Sequence, residues 1–297
     1  MMSDRMKRNA SMVVIFTAAG LAGAPAARGA DRFWIDSGGG SFQDPGNWNL
    51  GVPGASDSAN FNLATLGYTV TFAANVTTDE LRVINDQVVL DLGGFVYEVT
   101  GQASVGLDGS ANVFLEDGTL RQFGVGSGSM TIGYGEGATG ALTLRFTTTL
   151  ETNDLFVGAY FTCDELGLPS AGDLDIENDS TVTAVSALVG VCAGEGGYGR
   201  INVRDSASLV ISPFVLLMAS DGDGFLNVED NGTASLAELN MGSTGLSILN
   251  VIGANAEVTV GPDDTFIGTS GQVNVNSGGL FDASNSATFG TGHPFTA

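Results

Sequence analysis

Asp263 and Asp264, in "GPDDTF", are the only adjacent aspartates in the chain. Two carboxyl groups that converge on one glycosidic bond can divide acid and base work between them. Neighbouring residues of a strand point to opposite faces, however, and Gly261 and Pro262 just before the pair mark a turn. The pair is therefore a weak catalytic candidate. β-Helical enzymes that cleave acidic polysaccharides also bring a basic cluster to the substrate; the nearest equivalents, Arg200 and Arg204, stand two to three repeat units away. The single histidine, His293, falls in the last five residues, where order is least expected. Histidine-based triads and metal sites are accordingly set aside, and no catalytic residue is assigned.

The run "SDGDGFLNVED" places Asp221 and Asp223 as the first ligands of a calcium loop, but Phe225 occupies the third ligand position. A corner turn is the preferred reading. Weak calcium binding by acidic corners is the alternative, and no other cofactor is implied. Cys163 and Cys192 lie five and two residues beyond the glycines Gly158 and Gly190, which end two consecutive units of a repeat. Equivalent positions on stacked units are about 5 Å apart, within reach of a disulfide. A Cys163–Cys192 bond is expected, stabilising the fold by roughly 3 kcal/mol through loop closure.

Charge narrows the partners. The chain has 33 Asp and Glu against 10 Lys and Arg, a net charge of −23. Its one lysine, Lys7, lies near the N-terminus. Such a surface repels nucleic acid and anionic lipid. Neutral extracellular polysaccharide, a surface protein or a divalent cation remain as partners, and solubility alone also accounts for the charge.

The elements that would hold these residues are read from periodicity. Arg5, Lys7 and Arg8 precede an uncharged, mostly apolar run from Ala10 to Ala24, followed by small residues. This is the pattern of a secretory signal peptide, with cleavage expected after Ala26. The run is short for a membrane span of about 20 residues. No later stretch reads as a span, so the destination is secreted or cell-surface.

Downstream, 44 glycines punctuate short alternations of Val, Ile, Leu and Thr, the pattern of many short strands. "GALTLRFTTTL" from Gly140, "GDLDIENDSTV" from Gly172, "GRINVRDSASL" from Gly199 and "GQVNVNSGGLF" from Gly271 share one motif. Looser copies are "NVFLEDGTL" from Asn112, "GFLNVEDNGTASL" from Gly224 and "LNVIGANAEV" from Leu249. Units close on an apolar residue and a glycine: Gly158, Gly190, Gly242, Gly268 and Gly290. From Gly140 to Gly158, Gly172 to Gly190 and Gly224 to Gly242 the interval is the same. A unit this small cannot bury a hydrophobic face alone, but a stack of them can. The expectation is an all-β, single-chain parallel β-helix, a solenoid of about nine coils and roughly 40 Å. An antiparallel sandwich or barrel is the competing architecture, and it gives no reason for the constant interval.

The units, as in "GRINVRDSASL", resemble the β-helical repeats of secreted, autotransporter-passenger-like bacterial surface proteins. The stretch "FWIDSGGGSFQDPGNWNLGVPGASDSANFN" resembles the module that precedes such repeats in exported bacterial proteins, through Asp44 to Trp48, Gly51 to Gly54 and Asp57 to Phe61. The organisation expected is a signal peptide at 1–26, an N-terminal cap with first strands at 27–80, β-helix at 81–292 and a tail at 293–297.

The leading functional expectation is a non-enzymatic structural, adhesion or interaction protein, binding on the side of the long connectors Ala159 to Ala171 and Val191 to Tyr198. A polysaccharide lyase or hydrolase using Asp263 and Asp264 is one alternative. A carbohydrate-binding module centred on Trp34 and Trp48 is another. Against that module, a terminal coil leaves an open core and unpaired edges, which Trp34, Phe42, Trp48 and Phe61 are suited to cover. Burial of the tryptophans decides between cap and sugar platform.

Overall fold

The computed structural model describes residues 29–124, 128–158, 169–191, 197–219, 222–242, 244–261, 265–283 and 287–289. They form a parallel β-solenoid of about 9 turns. One sheet has ten strands, from Gly40–Ser41 through Thr139–Arg145 and Tyr198–Val203 to Gly271–Asn276, and makes the first face. The second sheet has 16 strands and folds along its length into two further faces. Four long strands span both: Thr149–Val157, Thr181–Val189, Ser208–Met218 and Thr233–Met241. The first half of Thr149–Val157 pairs with Thr119–Gln122 and its second half with Ser129–Tyr134.

Alternation sets what each strand buries. In Ala171–Ile176 the inward Leu174 and Ile176 are fully buried, while Asp173 and Asp175 face outward. Register carries that choice from coil to coil: Leu142, Leu174, Ile201, Leu226, Leu249 and Val273 form one inward ladder. Each fully buried leucine or isoleucine contributes about 1.5 to 3 kcal/mol relative to exposure.

The glycine motif has a steric origin at the corner where the third face returns to the first. Gly158, which closes one unit, adopts φ +59°, and its amide donates to the Ile132 carbonyl at 2.8 Å. Gly172, which opens the next unit, lies over that hydrogen bond. A Cβ on Gly172 would sit 2.3 Å from the Gly158 nitrogen and 2.2 Å from the Ile132 oxygen. The opening glycine is thus required for close approach and the closing one for both approach and left-handed backbone.

The N-terminal module belongs to the same stack, since Asp31–Phe33 pairs in parallel with Ser58–Phe61, and that strand with Glu80–Val83. At this end the core is aromatic. Trp34 meets Trp48 edge to face at 5.2 Å, Phe42 stacks on Phe72 at 4.8 Å, and Phe61 packs on Trp48 at 5.5 Å. Among the described residues no helix is long and apolar enough to cross a membrane.

Candidate functional site

The outer surface of the first face carries the most regular array of polar groups. The fourth position of the repeat unit is outward, and register stacks Asp175, Asn202, Asn227, Asn250 and Asn274 in one column. Each amide bonds the next coil. The Nδ2 of Asn274 donates to Asn250 at 2.9 Å, that of Asn250 to Asn227 at 2.7 Å, and that of Asn227 to Asn202 at 2.7 Å. The ladder ends where Asn202 donates to the Asp175 carboxylate at 2.7 Å. An asparagine side chain has two N–H donors and an oxygen with two lone pairs. The three interior members each spend one of each within the ladder, so each keeps a donor and a lone pair. These repeat at the inter-strand spacing of about 4.8 Å, a neutral hydrogen-bonding row.

The charges beside the row are spent within the protein. The Arg200 Nε lies 2.8 Å from Asp173 Oδ1, and Arg204 pairs with Glu177, in both cases across one coil. Arg145 pairs with Glu116 at 2.8 Å while lying 4.0 Å over the Phe114 ring. On the second face Arg121 bonds Glu151 at 2.6 Å. Arg32 meets Asp57 at 3.3 Å, and Arg82 meets Glu80 and Asp31. Every arginine among the described residues is therefore held by a carboxylate, and none is left to receive an acidic substrate. Burial, which outweighs the opposing Arg200, pushes the Asp173 carboxyl up. Hydrogen bonding to Glu177 pushes the Arg204 guanidinium further up.

Also neutral is the outer side of the second face, where Thr119, Thr149, Thr181, Ser208 and Thr233 form one column. Between the second and third faces, Ser212, Pro213 and Phe214 bulge from the long strand of one coil, leaving Phe214 61% exposed.

Of the residues singled out by sequence, Trp34, Phe42, Trp48 and Phe61 are all buried, with exposures of 2% or less. The Trp34 indole donates to the Asp36 carbonyl at 2.6 Å and the Trp48 indole to the Phe42 carbonyl at 2.8 Å. Neither presents a ring face to a ligand, which removes the basis of a sugar platform on these two residues. Beneath them Asp86 is buried and accepts from the Tyr68 hydroxyl at 2.6 Å and from the Leu63 amide at 3.0 Å. Burial, reinforced by Asp86, raises the Tyr68 hydroxyl far above its ordinary range.

Asp223 is exposed at the start of Asp223–Glu229, where its carboxylate accepts from the Leu246 amide at 3.2 Å. No group of three or more metal-ligating side chains occurs among the described residues. The leader, Cys163, Cys192, Asp221, Asp263, Asp264 and His293 lie outside the described residues.

The geometry defines the class: a parallel β-solenoid with a sealed aromatic N-terminal coil and an amide-lined outer face. Comparison of the chain with protein-family models, curated proteins and solved structures gives no match.

Proposed function

We propose that this protein is an exported, non-enzymatic β-solenoid acting as a structural, adhesion or interaction element of the cell surface or extracellular matrix. The observation that carries the reading is the asparagine ladder. It offers a flat, uncharged row of donors and acceptors on a rigid face whose arginines are all engaged by carboxylates. Neutral extracellular polysaccharide is the partner class this chemistry suits best, with a surface protein second. The basic and apolar start of the chain supports export, and the repeats' resemblance to bacterial surface solenoids points the same way.

A glycan array probed with the purified protein, with and without calcium, tests the reading. Binding to neutral glycans that weakens on Asn227→Ala is expected. Cleavage of any glycan would replace this reading with the enzymatic alternative. Cell fractionation with mass analysis of the N-terminus tests export, for which loss of the first 26 residues is the expected result.

A further inference from the structure

The two ends of the solenoid are built differently. At the N-terminal end the strands shrink to three and two residues, Asp31–Phe33 and Gly40–Ser41. Pro45 and Pro53, the Arg32–Asp57 pair and the buried aromatic cluster occupy the rest of that coil. The last coil, Gly271–Asn276, Leu280–Asp282 and Ala287–Phe289, has none of these features.

Its first strand has an open side. The Ser247 amide donates to the Ser270 carbonyl at 3.3 Å and the Gly253 amide to the Asn276 carbonyl at 3.2 Å. Residues 270, 272, 274 and 276 therefore turn their backbone groups toward the preceding coil. Val273 and Val275 turn theirs away from it, where no strand pairs among the described residues. Natural edges are normally protected by charge, proline or shortness. From Thr265 to Phe289 the sequence has one charged residue, Asp282, and no proline, in a chain of net charge −23. Leu280 is 51% exposed there, and Val275 and Phe281 are only partly buried.

We propose that a second copy of this chain covers this end, the Gly271–Asn276 strands of the two copies pairing antiparallel about a two-fold axis at Asn274. The sealed N-terminal coil offers no edge of matching length, so head-to-tail growth has no acceptor. Identical edges related by a two-fold must run antiparallel. An axis at Asn274 sets Val273 opposite Val275 of the copy, where the two exchange N–H and C=O groups, and sets Gln272 opposite Asn276. The valines keep their inward direction, so the core continues across the junction. The near-absence of charge removes the repulsion that the rest of this acidic surface would impose. A terminal coil supplies about 20 residues a side, the lower end of a standard interface.

Sedimentation velocity over a concentration series tests this. The expected result is a monomer–dimer equilibrium with the Val273 and Val275 amides protected from hydrogen exchange in the dimer. Val275→Pro removes an edge donor and should leave monomer with an unchanged far-UV spectrum. Gln272→Glu with Asn276→Glu places like charges in both cross-strand pairs and should weaken the dimer roughly tenfold or more, which keeps the proposal testable should the proline variant unfold. A monomer at every concentration overturns it, whether or not the edge amides are protected. So does a dimer indifferent to both variants, or an open-ended series of masses.

Discussion

Gly199 lies directly over the amide of Gly190. A Cβ on Gly199 would fall 2.3 Å from the Gly190 nitrogen and 2.2 Å from the Val157 oxygen that accepts its hydrogen bond. One coil's opening residue thus roofs the bond joining the two coils before it, and three turns are tied at one point.

Gly199→Ala is expected to destabilise the protein by about 3 kcal/mol or more, because the atoms it strikes are backbone and cannot swing aside. Gly67 makes the control: it has φ +76° but nothing within 4 Å of its missing Cβ. Gly67→Ala should cost only about 1 to 2 kcal/mol, the backbone penalty alone. Urea melts of the two variants separate steric approach from conformation.

Asn227 both donates to Asn202 and accepts from Asn250, each at 2.7 Å. Asn227→Ala removes both bonds from a half-exposed row and is expected to cost about 1 to 2 kcal/mol in urea melts. The larger consequence should be loss of glycan binding with the fold retained.

Trp34 and Trp48 are the only tryptophans in the chain, and both are buried. Native fluorescence should be blue-shifted and barely quenched by iodide. Trp48→Phe removes the bond to the Phe42 carbonyl and leaves a cavity, at about 2 kcal/mol or more. The loss is read by urea unfolding followed at Trp34.

Asp57 and Asp173 should bend the pH dependence of stability in opposite directions. Burial pushes the Asp57 carboxyl up, but the Gly54 and Ala30 amides and Arg32 outweigh it and hold it below the ordinary value of 3.8. Its contribution is then present above that value and lost as pH falls through the folded pKa. The stability gap between wild type and Asp57→Asn should be full at neutral pH and close in acid. Asp173 lies above the ordinary value of 3.8. Its contribution is complete below 3.8 and lost as pH rises through the folded value, so wild type should lose ground to Asp173→Asn on going from acid to neutral. Urea midpoints for the three proteins across acid and neutral pH check both signs.

The solenoid was legible because the glycines recur with the coil, but part of their reason was not. Turn geometry explains Gly158 and Gly190, whereas Gly172 and Gly199 have no positive φ and serve close approach between chain segments distant in sequence. In one coil Ala219 takes the closing position at φ 51°, so a search for glycine passes over it. The corner between the second and third faces was invisible for a different reason. It carries no turn residue in Thr181–Val189, only two successive outward residues, Val185 and Ser186, that interrupt the alternation. The ladder was present in every aligned unit, as Asp175, Asn202, Asn227, Asn250 and Asn274. Its meaning needs the register, because only stacking turns a repeated residue into a hydrogen-bonded chain.

That chain has a direction. Every amide from Asn274 to Asn202 points its bonded N–H toward the N-terminal end, and the series terminates on the carboxylate of Asp175. Viewed from outside, the row reads differently in its two senses, as a zip does from either end. A polymer whose own ends differ chemically meets a different succession of donors and acceptors when reversed, so such a face can sort strands by polarity as well as by composition.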